Sequence, residues 1–116
     1  MKTNAFRFLL ASALAVLACV TTAKGQNVTG AITGEVTDQS GAVLPGASVA
    51  AVNLDTNVTT QATTNSQGLF RIDFLPIGHY QVTVEASGFE KSTIQAFSLE
   101  VQQTANFNVK MVVGSA

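Results

Sequence analysis

The segment His79–Ala86 alternates strictly, with Tyr80, Val82, Val84 and Ala86 set against Gln81, Thr83 and Glu85. Successive side chains of a strand leave on opposite faces, so a period of two predicts an extended stretch with one buried and one wet face. The pattern recurs along the chain. Val28–Asp38 sets Ile32, Gly34 and Val36 against Thr33, Glu35 and Thr37, and Ala47–Leu54 aligns Ala47, Val49 and Ala51. Leu69–Phe74 places Phe70 and Ile72 opposite Arg71 and Asp73. Val58–Thr64 is polar, five of its seven residues being Thr or Gln, which fits an edge or a solvent-facing strand. Ser92–Val101 and Thr104–Val113 complete the set, the second with Phe107, Val109 and Met111 against Asn106, Asn108 and Lys110.

Turn residues separate these runs: Gln39-Ser40-Gly41-Ala42, Asp55-Thr56-Asn57, Asn65-Ser66-Gln67-Gly68, Leu75-Pro76-Ile77-Gly78, and Gly88. Short strands with turn signals about every 8–12 residues predict an all-β fold, a seven-stranded antiparallel β-sandwich of the Ig-like kind. A closed barrel shares the pattern, but a stretch of this length with one polar strand favours the sandwich. Tyr80 and Phe70 are the expected large core side chains.

The first 25 residues read differently. Met1–Arg7 is short and positive, Phe8–Val20 is a 13-residue apolar run, and Thr21–Gly25 is small and polar. As a helix the run would reach about 20 Å, short of the ~30 Å hydrocarbon core. The three-part pattern is that of a helical signal peptide, residues 1–25, cleaved before Gln26. A second reading uses Cys19: Val16-Leu17-Ala18-Cys19 resembles a lipobox, in which the cysteine is lipidated and becomes the new N-terminus. Either route predicts export and makes residues 26–116 the folded domain. Lys2, Arg7 and Lys24 go with the leader, which leaves three basic against seven acidic side chains, net −4. That sign, without a basic run, argues against nucleic acid as a partner. Cys19 is the only cysteine, so no disulfide or thiolate metal site is expected.

The ordered series Gly34-Glu35-Val36-Thr37-Asp38, Leu44-Pro45-Gly46-Ala47-Ser48-Val49, Gly68-Leu69-Phe70, Leu75-Pro76-Ile77-Gly78-His79-Tyr80 and Val82-Thr83-Val84-Glu85-Ala86-Ser87-Gly88-Phe89 resembles the carboxypeptidase regulatory-like domain. That resemblance spans roughly Val28–Val113 and implies a prealbumin-like, transthyretin-type sandwich. It implies an accessory, non-catalytic role, such as the domain that follows the catalytic unit of metallocarboxypeptidases. A leader followed directly by Thr29-Gly30-Ala31-Ile32-Thr33-Gly34-Glu35-Val36 is most similar to the N-terminal extensions of TonB-dependent outer-membrane receptors. The partner implied is then a receptor's own plug and barrel or another envelope protein, at the periplasm or outer membrane of a Gram-negative-type bacterium. The grouping of this fold with starch-binding-like sandwiches implies polysaccharide as an alternative ligand.

Little in the residues suggests catalysis. A zinc carboxypeptidase needs two His ligands and a Glu, and this chain has His79 alone. A Ser-His-Asp triad would have to use the same histidine, and neither Ser40 nor Ser66 sits in a nucleophile elbow. No cofactor is expected. Asp38 and Asp55 lie outside any acid-rich calcium loop. For carbohydrate, the candidates are Phe89, beside Gly88, with the amides of Asn57, Gln61 and Asn65; the structural alternative has Phe89 closing one end of the sandwich.

Overall fold

The computed structural model describes Val28–Gly114, and the leader with Cys19 lies outside the described residues. Seven strands form: β1 (Thr29–Thr37), β2 (Ser48–Asn53), β3 (Thr59–Thr63), β4 (Leu69–Pro76), β5 (Gly78–Glu85), β6 (Ser92–Leu99) and β7 (Thr104–Lys110). They make two sheets, ordered β4-β1-β7 and β3-β2-β5-β6. Every pair is antiparallel except β1 with β7, which runs parallel from Ala31↔Thr104 to Thr37↔Lys110. This parallel pair is the departure from the antiparallel sheet expected from alternation, which carries no information on strand direction.

The buried faces are those the period of two predicts. Ile32, Val36, Ala47, Val49, Ala51, Phe70, Ile72, Tyr80, Val82 and Val84 form one core between the sheets, joined by Leu75, Leu99, Val109 and Met111. β3 lies at a sheet edge, as its polar composition suggests. On the other flank Phe97 of β6 and Phe107 of β7 close the gap between the sheets, ring centroids 4.8 Å apart and tilted at 53°. That geometry is within the range aromatic pairs prefer. Gly34 permits close packing: an added Cβ would lie 2.5 Å from both the Phe70 ring and the Phe107 carbonyl oxygen. The missing side chain is the space the Phe70 ring occupies.

Leu75-Pro76-Ile77-Gly78 is a corner rather than a hairpin turn. β4 belongs to one sheet and β5 to the other, with Ile77 alone between them. Tyr80 pins this corner, its hydroxyl donating to the Pro76 carbonyl at 2.6 Å. A Cβ at Gly78 would come within 2.7 Å of Asp55 Oδ2.

Strand directions sort the loops into two ends. Val28, the β2–β3 turn, the β4–β5 corner and the β6–β7 turn share the entry end. The loop after β1, the β3–β4 turn, the β5–β6 connection and the segment after β7 share the opposite end. The chain therefore enters at one end and leaves at the other.

Candidate functional site

The side chains singled out from sequence are split between these ends. Asn57 is in the β2–β3 turn at the entry end, in the left-handed region at φ 61°, a conformation asparagine tolerates well. Asn65 is at the opposite end, where its side-chain oxygen accepts from Gln67 N at 2.9 Å and Leu69 N at 3.0 Å. Gln61 lies on the exposed β3 edge. Phe89 is half-buried against the core at the end opposite Asn57, and it bridges to Val113. Asn57 is thus separated from Phe89 and Asn65 by the length of the sandwich, and the side-chain oxygen of Asn65 is occupied in holding its turn.

The lone histidine has a definite partner. Asp55 Oδ2 accepts from the His79 backbone N–H at 3.0 Å, and the carboxylate lies 3.2–3.3 Å from the ring Nδ1. The backbone N–H of His79, followed by its side chain, holds the Asp55 carboxyl below its ordinary value of 3.8. Ser98 is the cross-strand neighbour of His79. Ser40 and Ser66 lie at the far end; Ser40 Oγ donates to Asp38 Oδ1 at 2.6 Å, which with three backbone N–H groups lowers the Asp38 pKa. Among the described residues, no group of three metal-ligating side chains comes together.

Three contributors were not visible in the alternation. Asn53, buried at the end of β2, donates to the Tyr80 hydroxyl and accepts from Asp55 N and Thr56 N. Thr64, also buried, donates to the Leu44 carbonyl at 2.6 Å and accepts from Ala47 N at 2.8 Å. The third is Phe74. Continued alternation from Phe70 and Ile72 would bury it, yet it is 80% exposed. The register explains this: Gly30 pairs with Leu75 and Ile32 with Ile72, so Asp73 and Phe74 together face Ala31. This β-bulge puts Phe74 in the left-handed region at φ 57°, returns Leu75 to the core and sends the phenyl ring outward.

The bulge borders an open groove of about 190 Å³ with Ala31 in its lining and the β6–β7 turn, Gln102 and Gln103, opposite. Gln102 is likewise left-handed at φ 57°. The turn is tied to β1 by Gln102 N donating to the Thr29 carbonyl at 2.8 Å and Ala31 N donating to the Gln103 carbonyl at 2.9 Å. Further along the same outer sheet face, a second recess of about 450 Å³ is bordered by Thr33, Arg71, Asn106 and Asn65. Arg71 Nε pairs with Asp73 Oδ1 at 2.7 Å, and Asn106 Nδ2 donates to Thr33 Oγ1 at 2.8 Å.

The family model of the carboxypeptidase regulatory-like domain matches residues 31–112, nearly the whole sandwich. The chain belongs to this family. Solved structures share the fold at low identity. The Bacillus anthracis TIE protein superposes with a TM-score of 0.63 at 23% identity, over 74% of this chain and 17% of that one. The catechol 1,2-dioxygenase of Acinetobacter radioresistens gives 0.62 at 15% identity, over 78% of this chain and 53% of the enzyme. A Pseudomonas aeruginosa protein described as a candidate carbohydrate-binding protein gives 0.53 at 20% identity, over 78% of this chain and 93% of that one. The regulatory-like domain thus spans less than two thirds of the first two proteins. No curated protein sequence matches the chain.

Proposed function

We propose that this regulatory-like domain is a non-catalytic, exported module of the cell envelope, serving as a spacer or protein-interaction domain. The observation that carries this reading is the parallel β1–β7 pair, which makes the chain enter and leave at opposite ends. A module so threaded separates its N-terminal neighbour from its C-terminal one by the length of its strands, about 20–25 Å. A TonB-dependent receptor, whose plug and barrel would come after such an extension, is the partner that the leader-plus-domain order favours. Export rests on the apolar leader at residues 1–25, with either cleavage before Gln26 or lipidation at Cys19.

Fractionation of cells expressing the full chain tests the location. The expected result is a processed protein in the envelope or periplasm, released from membranes by Cys19→Ser only if lipidation occurs. An unprocessed chain in the cytoplasm would overturn export. The non-catalytic reading has its own test, because Asp55, His79 and Ser98 stand close enough to invite an esterase assay. Hydrolysis of an activated ester that disappears in His79→Ala would overturn it.

A second reading, carbohydrate binding, is favoured by the exposed Phe74 ring beside paired amides and a carboxylate. The surface proposed for it centres on Phe74 and not on the Phe89, Asn57 and Asn65 set expected from sequence, since Asn57 lies at the opposite end of the sandwich from the other two. Retention of the protein on a polysaccharide matrix tests this reading, and silence across a broad panel would dismiss it.

A further inference from the structure

We propose that the outer face of the β4-β1-β7 sheet binds a neutral polysaccharide, with Phe74 as the platform on which one sugar ring stacks. The proposal rests on the carbohydrate reading and gives it a location, a ligand class and a direction.

Phe74 adopts a backbone conformation that costs a bulky L-residue about 1–2 kcal/mol, and the result is a ring held in water rather than in the core. Strain of this kind persists where the surrounding structure enforces it and is concentrated at ligand sites. Here the enforcement is visible. Leu75 and Ile72 are locked into the core on either side, so the bulge between them has no freedom to turn Phe74 inward. An exposed aromatic face is suited to the C–H face of a pyranose, which is apolar, while the hydroxyls at the ring's rim need polar partners close by.

Those partners are already oriented. Gln103 Oε1 accepts from Glu100 N at 2.8 Å, which leaves the NH₂ end of the amide as its donor group. Asp73 also lines the groove and is held through one oxygen by Arg71, which leaves the second oxygen as an acceptor. A donor amide and an acceptor carboxylate flanking an aromatic ring match the paired donor–acceptor hydroxyls of a sugar, and their fixed geometry lowers the ordering cost of binding. Among the described residues, the cation nearest the platform is Arg71, which is paired with Asp73. Lys110 stands at the level of Thr37, at the far end of β1, and Glu35 lies between. Among the described residues, an anionic polymer would therefore meet only a paired cation at the platform. That selects a neutral one.

The groove at Phe74 is smaller than the ~300–1,000 Å³ of a typical small-molecule pocket. Two residues further along β1 lies the second recess, where the cross-strand row Arg71–Thr33–Asn106 presents polar groups on the same face. From Ala31 to Thr33 and on to Glu35 this face runs about 13 Å. An aromatic platform at one end of a polar trough fits a linear chain of sugars better than a single ring.

Affinity electrophoresis of the purified protein in gels containing amylopectin, laminarin or glucomannan, with alginate as the anionic control, tests the proposal. We expect retardation by at least one neutral polymer and none by alginate. Phe74→Ala should weaken that binding about tenfold or more, as should Asp73→Asn to a smaller degree, both with unchanged melting curves; Phe89→Ala should bind as the parent does. Equal binding by Phe74→Ala and the parent would overturn the site while leaving the carbohydrate reading in place. Absence of binding to every polymer, alginate included, would overturn both, and retardation by alginate alone would overturn the ligand class.

Discussion

The Tyr80 hydroxyl donates to the Pro76 carbonyl at 2.6 Å, tying the first core residues of β5 to the last residue of β4 across the corner between the two sheets. Asn53 donates to the same hydroxyl at 3.2 Å, so one phenol joins the corner to the end of β2. Removing only the hydroxyl leaves a carbonyl and a buried amide short of a partner. Tyr80→Phe is therefore expected to cost about 1–3 kcal/mol. Tyr80→Ala, which also empties core volume, should cost about 3–5 kcal/mol. Urea denaturation of the two variants checks the order; an unchanged midpoint in Tyr80→Phe would mean that the hydroxyl contributes nothing.

Gly34 faces the Phe70 ring and the Phe107 carbonyl at distances no methyl group tolerates. A side chain can shift, but the β7 backbone is held by its ladder with β1. Gly34→Ala should destabilise by at least about 2 kcal/mol, as overpacking does. An unchanged denaturation midpoint would contradict the close approach of β1 and β7.

Phe74 should respond in the opposite way from every other aromatic of β4 and β5. Replacing a buried Phe by a small residue costs about 3–5 kcal/mol, but Phe74 has little burial to lose and strain to relieve. Phe74→Asn, which suits φ 57°, should leave stability unchanged or raise it by about 1 kcal/mol. Phe70→Ala is the matched control and should show the full core loss. A large loss in Phe74→Asn would place the ring in the core and refute the bulge.

Acid should weaken the fold below about pH 4. Asp38, held chiefly by the Ser40 hydroxyl, and Asp55, held chiefly by the His79 backbone N–H, both have folded-state pKa values below the ordinary 3.8. A depressed carboxylate contributes stability above its unfolded pKa and loses it as pH falls through the folded value. Denaturation midpoints should therefore hold steady above about pH 5 and fall below about pH 4. The fall should be shallower in the Asp38→Asn, Asp55→Asn double variant. Identical acid profiles for the parent and double variant would show that neither carboxylate couples to folding.

Alternation in β1, β2 and β5 was enough to identify Ile32, Val36, Val49, Val82 and Val84 as core, because a strand has two faces and only one can be dry. The polar run at β3 likewise announced an edge. Turn positions were legible for the same local reason, since glycine and asparagine mark left-handed backbone. The candidate site was far less legible. Asn57, Asn65 and Phe89 are reasonable one by one, but which turns share an end depends on strand direction and sheet membership, and neither is written in a period of two.

Local pattern thus determined the fold class, the buried faces and the turns, since these depend on neighbours in the chain. Tertiary structure decided the rest. The parallel β1–β7 pairing, which separates entry from exit, follows from how distant strands satisfy each other's backbone groups. The exposure of Phe74 follows from the register of β4 against β1: with Ile72 and Leu75 both drawn into the core, two residues must face Ala31, and the ring between them is left in water.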